Sequence, residues 1–171
     1  NTREVATDFQ QKYPGLITYH ENEKNLGVDR NIFEAMKMAT GEFIWTFADD
    51  DLVVPNGVKE VVDFIKGIDK KNTGLIVLRS ESSIYNQKTG QKGIYYNSFD
   101  KSKPEIFQIK REEIIASTFP DISFISVLIY NNELIKKIFI EDSVAVQETD
   151  DTRHAHVPLF VFMFLKYPHI K

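Results

Sequence analysis

A layered α/β domain with a mostly parallel central sheet is the fold this sequence predicts, on two observations. Segments with helical and strand-like patterns alternate through the first half of the chain, in the order helix, strand, helix, strand, helix, strand. Hydrophobic residues make up 42% of the 171 positions, with 13 Phe, 7 Tyr and 1 Trp, enough large side chains for a sizeable core.

The first helix covers residues 1–13. Asn1 is placed to cap it, Glu4 stands three residues later as in a capping box, and Val5, Phe9 and Tyr13 recur on one face. Pro14-Gly15 ends it, and Leu16-Ile17-Thr18-Tyr19 reads as a short strand. A second helix, Val28 to Ala39, carries Val28, Ile32, Ala35, Met36 and Ala39 at helical spacing, and Gly41 suits the left-handed position past its end. Phe43 to Phe47 is a hydrophobic strand. Pro55-Asn56-Gly57 opens a third helix with Val58, Val61, Val62, Ile65 and Ile68 on its apolar face, and Leu75 to Leu78 is the next strand.

Beyond residue 79 the pattern is less regular. Thr89-Gly90 reads as a turn, Ile94-Tyr95-Tyr96 and Ile106 to Ile109 as short strands, and Arg111 to Ser117 as a short helix. Phe124 to Tyr130 follows as a strand and Asn132 to Ile138 as a helix, and an aromatic-rich helix starts near Pro158, where proline fits the first turn.

Composition excludes several classes. With 21 Lys plus Arg against 25 Asp plus Glu, the net charge of -4 argues against gripping nucleic-acid phosphates as the main task. The absence of cysteine removes disulfides, thiolate metal sites and cysteine nucleophiles. The longest apolar run, Val157 to Leu165, falls well short of the about 20 residues a membrane-spanning helix needs. No signal-peptide pattern is visible, and a start at Asn1 rather than Met reads as a fragment or a processed product.

The stretch Phe43-Ile44-Trp45-Thr46-Phe47-Ala48-Asp49-Asp50-Asp51 carries the chemistry. Three consecutive carboxylates at the end of a buried strand repel one another, and the carboxyl edge of an open α/β sheet is where ligands bind. Closely spaced oxygen donors suit a hard divalent cation, since Mg²⁺ takes one or two carboxylates plus substrate phosphates. A solvated acidic turn capping the next helix is the alternative that the aspartates alone leave open.

Asn25-Leu26-Gly27-Val28-Asp29-Arg30-Asn31, then Ala39-Thr40-Gly41-Glu42-Phe43-Ile44-Trp45, then Asp49-Asp50-Asp51, resembles the family 2 glycosyltransferases of the GT-A fold. In that family an Asn-x-Gly loop opens a helix bearing Arg-Asn, the helix ends at Ala-x-Gly-Glu, and a strand delivers an Asp-x-Asp metal site. Phe124 to Tyr130, and His156 ahead of the closing helix, are similar to the bacterial polysaccharide-assembling, abequosyltransferase-like members. The resemblance implies a GT-A-type sheet whose first two strands lie upstream of Asn1. It also implies a single domain over 1–171, with 1–79 as the nucleotide- and metal-binding half and 80–171 as the acceptor half.

It further implies roles for individual residues. Asp51 and Asp49 are the metal ligands, for Mn²⁺ or Mg²⁺, and Asp50 faces the ribose of a nucleotide-diphosphate sugar. Asn25 and Asn31 shape the nucleotide cleft, Arg30 clamps a phosphate, and His156 contacts the pyrophosphate or the metal. Family members place an acidic pair at a late helix start: Glu141-Asp142 matches that pair literally, and Asp151, with Asp150 behind it, is favoured as the catalytic base because its position relative to His156 and Pro158 fits that helix start better. The implied reaction is inverting transfer to an acceptor hydroxyl on a glycan or a lipid-linked glycan, in the cytoplasm at the inner face of the membrane, with peripheral membrane association. An exposed sheet edge in such a fragment implies self-association and weak activity. A non-catalytic metal- or nucleotide-binding module and a nucleotidyltransferase are the alternatives; the second is expected to carry a glycine-rich phosphate loop, and none is seen.

Overall fold

The computed structural model describes residues 2–85, 92–97 and 124–141. Helix α1 (Thr2–Lys12) forms where the sequence predicts it, yet Val5, Phe9 and Tyr13 on its apolar face stay exposed. The bidentate pair that Arg3 makes with Glu21, at 2.8 Å for each N–H, ties α1 to the following loop. Leu16 to Tyr19, expected as a strand, joins no ladder among the described residues, and Leu16 is 81% exposed. Its β-branched and aromatic composition is a preference for a pleated, half-buried surface, and without a paired neighbour that preference has nothing to act on.

Helix α2 (Val28–Met38) buries Phe33 and Met36. It ends at Ala39 in an extended conformation, and among the described residues the positive-φ glycines are Gly15 and Gly27, so Gly41 does not take the left-handed position expected of it. Side chains more than ninety residues later cap this helix instead. The amide of Asn132 donates to the carbonyls of Ala39 and Gly41 at 3.1 and 2.6 Å, and Lys136 donates to Ala39 at 3.0 Å. These donors satisfy carbonyls that a helix end leaves open, and the lysine also opposes the negative end of the helix dipole.

Among the described residues the central sheet has three strands, in the order β1 (Phe43–Trp45), β5 (Leu128–Asn131), β2 (Leu75–Val77). Both ladders are antiparallel, with Ile44 opposite Tyr130 and Ile76 opposite Ile129. The expected parallel pairing is therefore not found among the described residues: β1 and β2 run in the same direction, but β5 inserts between them with reversed polarity. Alternation of helix and strand fixes the direction of β1 and β2; it carries no information about a strand that returns from some fifty residues later. A separate hairpin pairs β3 (Glu81–Tyr85) with β4 (Lys92–Asn97), with an irregularity between Ser82 and Ser83. β4 includes the expected Ile94 to Tyr96 strand, while the Thr89-Gly90 turn, the 106–109 strand, the 111–117 helix and the helix at Pro158 lie outside the described residues.

The core forms on one face of this sheet. Ile44, Leu128 and Tyr130 pack with Phe33 and Met36 of α2 and with Leu134, Ile135 and Ile138 of α4 (Asn132–Glu141). Phe33 meets Phe139 edge to face at 5.5 Å. Burial pushes the Tyr130 phenol well above its ordinary pKa. Helix α3 (Gly57–Gly67) follows a tight turn in which Gly57 N–H donates to Val54 at 2.9 Å, with Asn56 at φ 65°. A Cβ on Gly57 would lie 2.7 Å from Val53 Cγ1, so this buried position has no room for a side chain. Val58 and Val62, expected on the apolar face of α3, remain exposed. No helix among the described residues is long and apolar enough to cross a membrane.

Two adjacent asparagines lock β5 and α4 to the rest of the fold. Asn131 Oδ1 accepts from the N–H groups of Glu133 and Leu134 at 3.1 and 3.3 Å and so caps α4, while its amide donates to Lys70 and Thr73 carbonyls at 3.0 and 3.1 Å. Asn132 makes two bonds through its amide, but its buried Oδ1 has no partner among the described residues. Asn131→Ala is expected to cost about 2–4 kcal/mol by urea unfolding, from the lost cap and two stranded carbonyls. Asn132→Ala is expected to cost less, because it also removes a buried unsatisfied oxygen.

Candidate functional site

The site starts from the loop ahead of α2. Asn25 Oδ1 accepts the Gly27 N–H at 2.9 Å, a side-chain turn that mimics a backbone one. Gly27 sits at φ 79°, ψ 171°, a region open essentially to glycine alone. That is the physical content of Asn-x-Gly here: the asparagine pins the chain two residues on, and the glycine takes the turn into the helix. Asn22 donates to Asn31 Oδ1 at 2.8 Å, so Asn31 fastens the loop to the first turn of α2. Glu21 beside it is held below the usual carboxylate range, first by its hydrogen bond from Arg3 and then by that from Tyr19. Arg30 is exposed on the same first turn, while its neighbour Asp29 is buried.

The acidic stretch follows β1. The strand ends at Trp45, two residues sooner than the Phe43 to Phe47 expected, and Ala48 to Asp51 forms a turn with Asp51 N–H 3.4 Å from the Ala48 carbonyl. The alternation that would set Trp45, Phe47, Asp49 and Asp51 on one side therefore stops at the strand end. Asp49, Asp50 and Asp51 are all exposed.

Three bonds fasten the base of this turn to the short 3-10 turn Ile125–Val127 that leads into β5. The Trp45 indole donates to the Ser126 carbonyl at 2.8 Å, and the Thr46 hydroxyl donates to Ile125 at 2.9 Å. Ser126 Oγ accepts the Ala48 N–H at 2.8 Å. Phe47 lies edge-on to Trp45 at 5.7 Å. The strand expected over Phe124 to Tyr130 is thus a 3-10 turn followed by a strand, because residues 125 and 126 turn their polar groups toward β1. Thr46 and Ser126 were invisible as site residues in the sequence: nothing local marks two hydroxyls some eighty residues apart as neighbours.

Ala39, at the C-terminal end of α2, bonds Asn132, the residue after the Asn131 that pairs with Phe43 at the amino end of β1, so α2 starts away from that end of the strand. Among the described residues no three carboxylate or imidazole side chains gather as a metal site. The donor set at Asp49 and Asp51 is nevertheless all hard oxygen and open to solvent, which fits an Mg²⁺ or Mn²⁺ that takes one or two carboxylates and completes its shell with phosphate and water. Asp150, Asp151 and His156, together with the alternative Asp142, lie outside the described residues.

The sequence pattern of glycosyl transferase family 2 matches residues 1–129, and the chain belongs to that family. Among characterised relatives, the abequosyltransferase RfbV of Salmonella typhimurium strain LT2 is 26% identical over 140 residues, covering 77% of this chain and 40% of its own length. The chain thus spans less than half the length of that relative. No solved structure gives a significant match.

Gly27→Ala tests the loop. A Cβ there meets nothing within 4 Å, so the loss comes from backbone strain alone. Destabilisation of about 1–3 kcal/mol by urea unfolding is expected; an unchanged midpoint would show that the loop does not hold this conformation.

Proposed function

We propose that the chain is part of an inverting glycosyltransferase that moves a sugar from a nucleotide-diphosphate donor to a hydroxyl on a glycan or lipid-linked acceptor, in surface polysaccharide assembly. The observation that carries this reading is the exposed Asp49–Asp51 turn that follows the carboxyl end of β1 in a family 2 chain. Helix N-termini favour phosphate, and the exposed carboxylates supply the donors for a cation that phosphate also ligates. The abequosyltransferase relative supports sugar transfer as the chemistry.

In this reading Asp49 and Asp51 hold Mn²⁺ or Mg²⁺, Asp50 faces the ribose, Arg30 and His156 meet the diphosphate, and Asn25 and Asn31 shape the cleft. A bound divalent cation supplies positive charge where negative charge builds on the departing diphosphate. Asp151, backed by Asp150, accepts the proton of the acceptor hydroxyl. The acceptor oxygen bonds to the anomeric carbon as the bond to the diphosphate oxygen breaks on the opposite face. A single displacement of that kind inverts the anomeric configuration, and the nucleoside diphosphate leaves.

We place the enzyme in the cytoplasm, peripheral to the inner face of the membrane, where a lipid-linked acceptor presents its hydroxyl. The exposed apolar face of α1 supports self-association, which sedimentation at increasing concentration would reveal.

The reading is tested in the full-length protein. Donor-sugar turnover with Mn²⁺ should release nucleoside diphosphate; release of inorganic pyrophosphate would indicate a nucleotidyltransferase, and no turnover a binding module. Asp51→Ala is expected to reduce transfer by at least about 100-fold while leaving the unfolding midpoint near that of the parent, because an exposed turn residue contributes little packing. Asp151→Asn is expected to lose transfer with metal binding kept, and Asp142→Asn to retain both. The reverse outcome for that pair would move the base to Asp142.

A further inference from the structure

The acidic turn has little of its own to hold it in shape. Its closing backbone contact, Asp51 N–H to Ala48, is long at 3.4 Å, and all three aspartates are exposed. What fixes it lies at its base. Of the three bonds there, Trp45 and Thr46 donate to backbone carbonyls, which any residue at 125 or 126 would provide. The third is different in kind, because Ala48 N–H, the first amide of the turn, is received by a side chain. Ser126 Oγ is that acceptor, at 2.8 Å, on a residue only 8% exposed that directly precedes the fully buried stretch entering β5. The hydroxyl is therefore held by the core and transmits that rigidity to the turn.

We propose that Ser126 is a positioning residue: through Ala48 it holds the Asp49–Asp51 turn in the conformation that binds a divalent cation together with a diphosphate. This inference rests on the function proposed above. Removing the hydroxyl leaves the Ala48 N–H without its acceptor, which frees the turn to reorient while β1 and β5 stay paired. Groups that orient metal ligands from behind typically change metal affinity by about 10–100-fold when lost.

The test titrates the full-length protein with Mn²⁺, alone and with inorganic pyrophosphate, and reads bound metal by loss of the free Mn²⁺ electron paramagnetic resonance signal. Ser126→Ala is expected to weaken binding by at least about 10-fold and to speed hydrogen exchange at the Ala48 amide, with β1 amides unchanged. Asn132→Ala, which removes two side-chain bonds at the opposite end of β1, controls for general loosening and is expected to bind within about twofold of the parent. Ser126→Thr, which restores a hydroxyl, is expected to recover most of the affinity. Parental binding by Ser126→Ala, an equal loss in Asn132→Ala, or no recovery in Ser126→Thr overturns the positioning role and leaves the metal site standing. A parent that binds neither Mn²⁺ nor Mn²⁺ with pyrophosphate overturns the metal site itself, and the positioning role with it.

Discussion

Strand β5 is bonded along both edges and buried on both faces, and the rest of the described structure is arranged around it. Its pairing with β1 and β2 joins segments that are otherwise separated by a helix and two loops. Tyr130 and Leu128 face the core beneath α2 and α4, and Ile129 on the other face is equally enclosed. Burying four successive backbone positions requires every N–H and C=O to find a partner, and two flanking ladders supply them. The bonds from Leu78 N–H to Val127 at 2.8 Å and from Asn132 N–H to Glu42 at 3.0 Å extend that accounting past both ends of the strand.

The two ends of β5 do different work. At its carboxyl end the Asn131–Asn132 pair closes the structure: one asparagine caps α4 and reaches the loop before β2, the other reaches the end of α2. At its amino end the 3-10 turn at Ile125–Val127 presents a carbonyl and a hydroxyl of Ser126 to the exit of β1. One strand thus carries a purely structural join at one end and the support of the acidic turn at the other. The surface ion pairs contribute far less: those between Lys59 and Asp63, or Lys137 and Glu133, are exposed helix pairs, screened by water and salt.

The apolar side chains left exposed on α1, and Leu52 to Val54 beside the acidic turn, contrast with the tightly enclosed face between α2, α4 and the sheet. The periodicity of α1 and α3 reports a face able to be buried, and the period is the same whether or not something covers that face. Coverage depends on what lies opposite, and that is a tertiary property.

By itself the sequence determined most of the local elements and the position of the acidic run. Helices α1, α2 and α3 follow from the 3.6-residue period, β1 and β2 from short apolar runs, and the Asn25–Gly27 turn from a side chain that bonds two residues away. The aspartates at 49–51 were legible for the same reason, as a run of charge abutting a run of apolar residues. Only the tertiary structure decided that β5 lies antiparallel between β1 and β2, that Leu16 to Tyr19 stays unpaired with any described strand, and that Gly41 is capped by Asn132 rather than by its own backbone turn. It alone joined Ser126 to Ala48, across 78 residues. Each of these depends on which segments meet after the chain has closed on itself. Short-range patterns record the preferences of neighbours in sequence and carry no signal for neighbours made by packing.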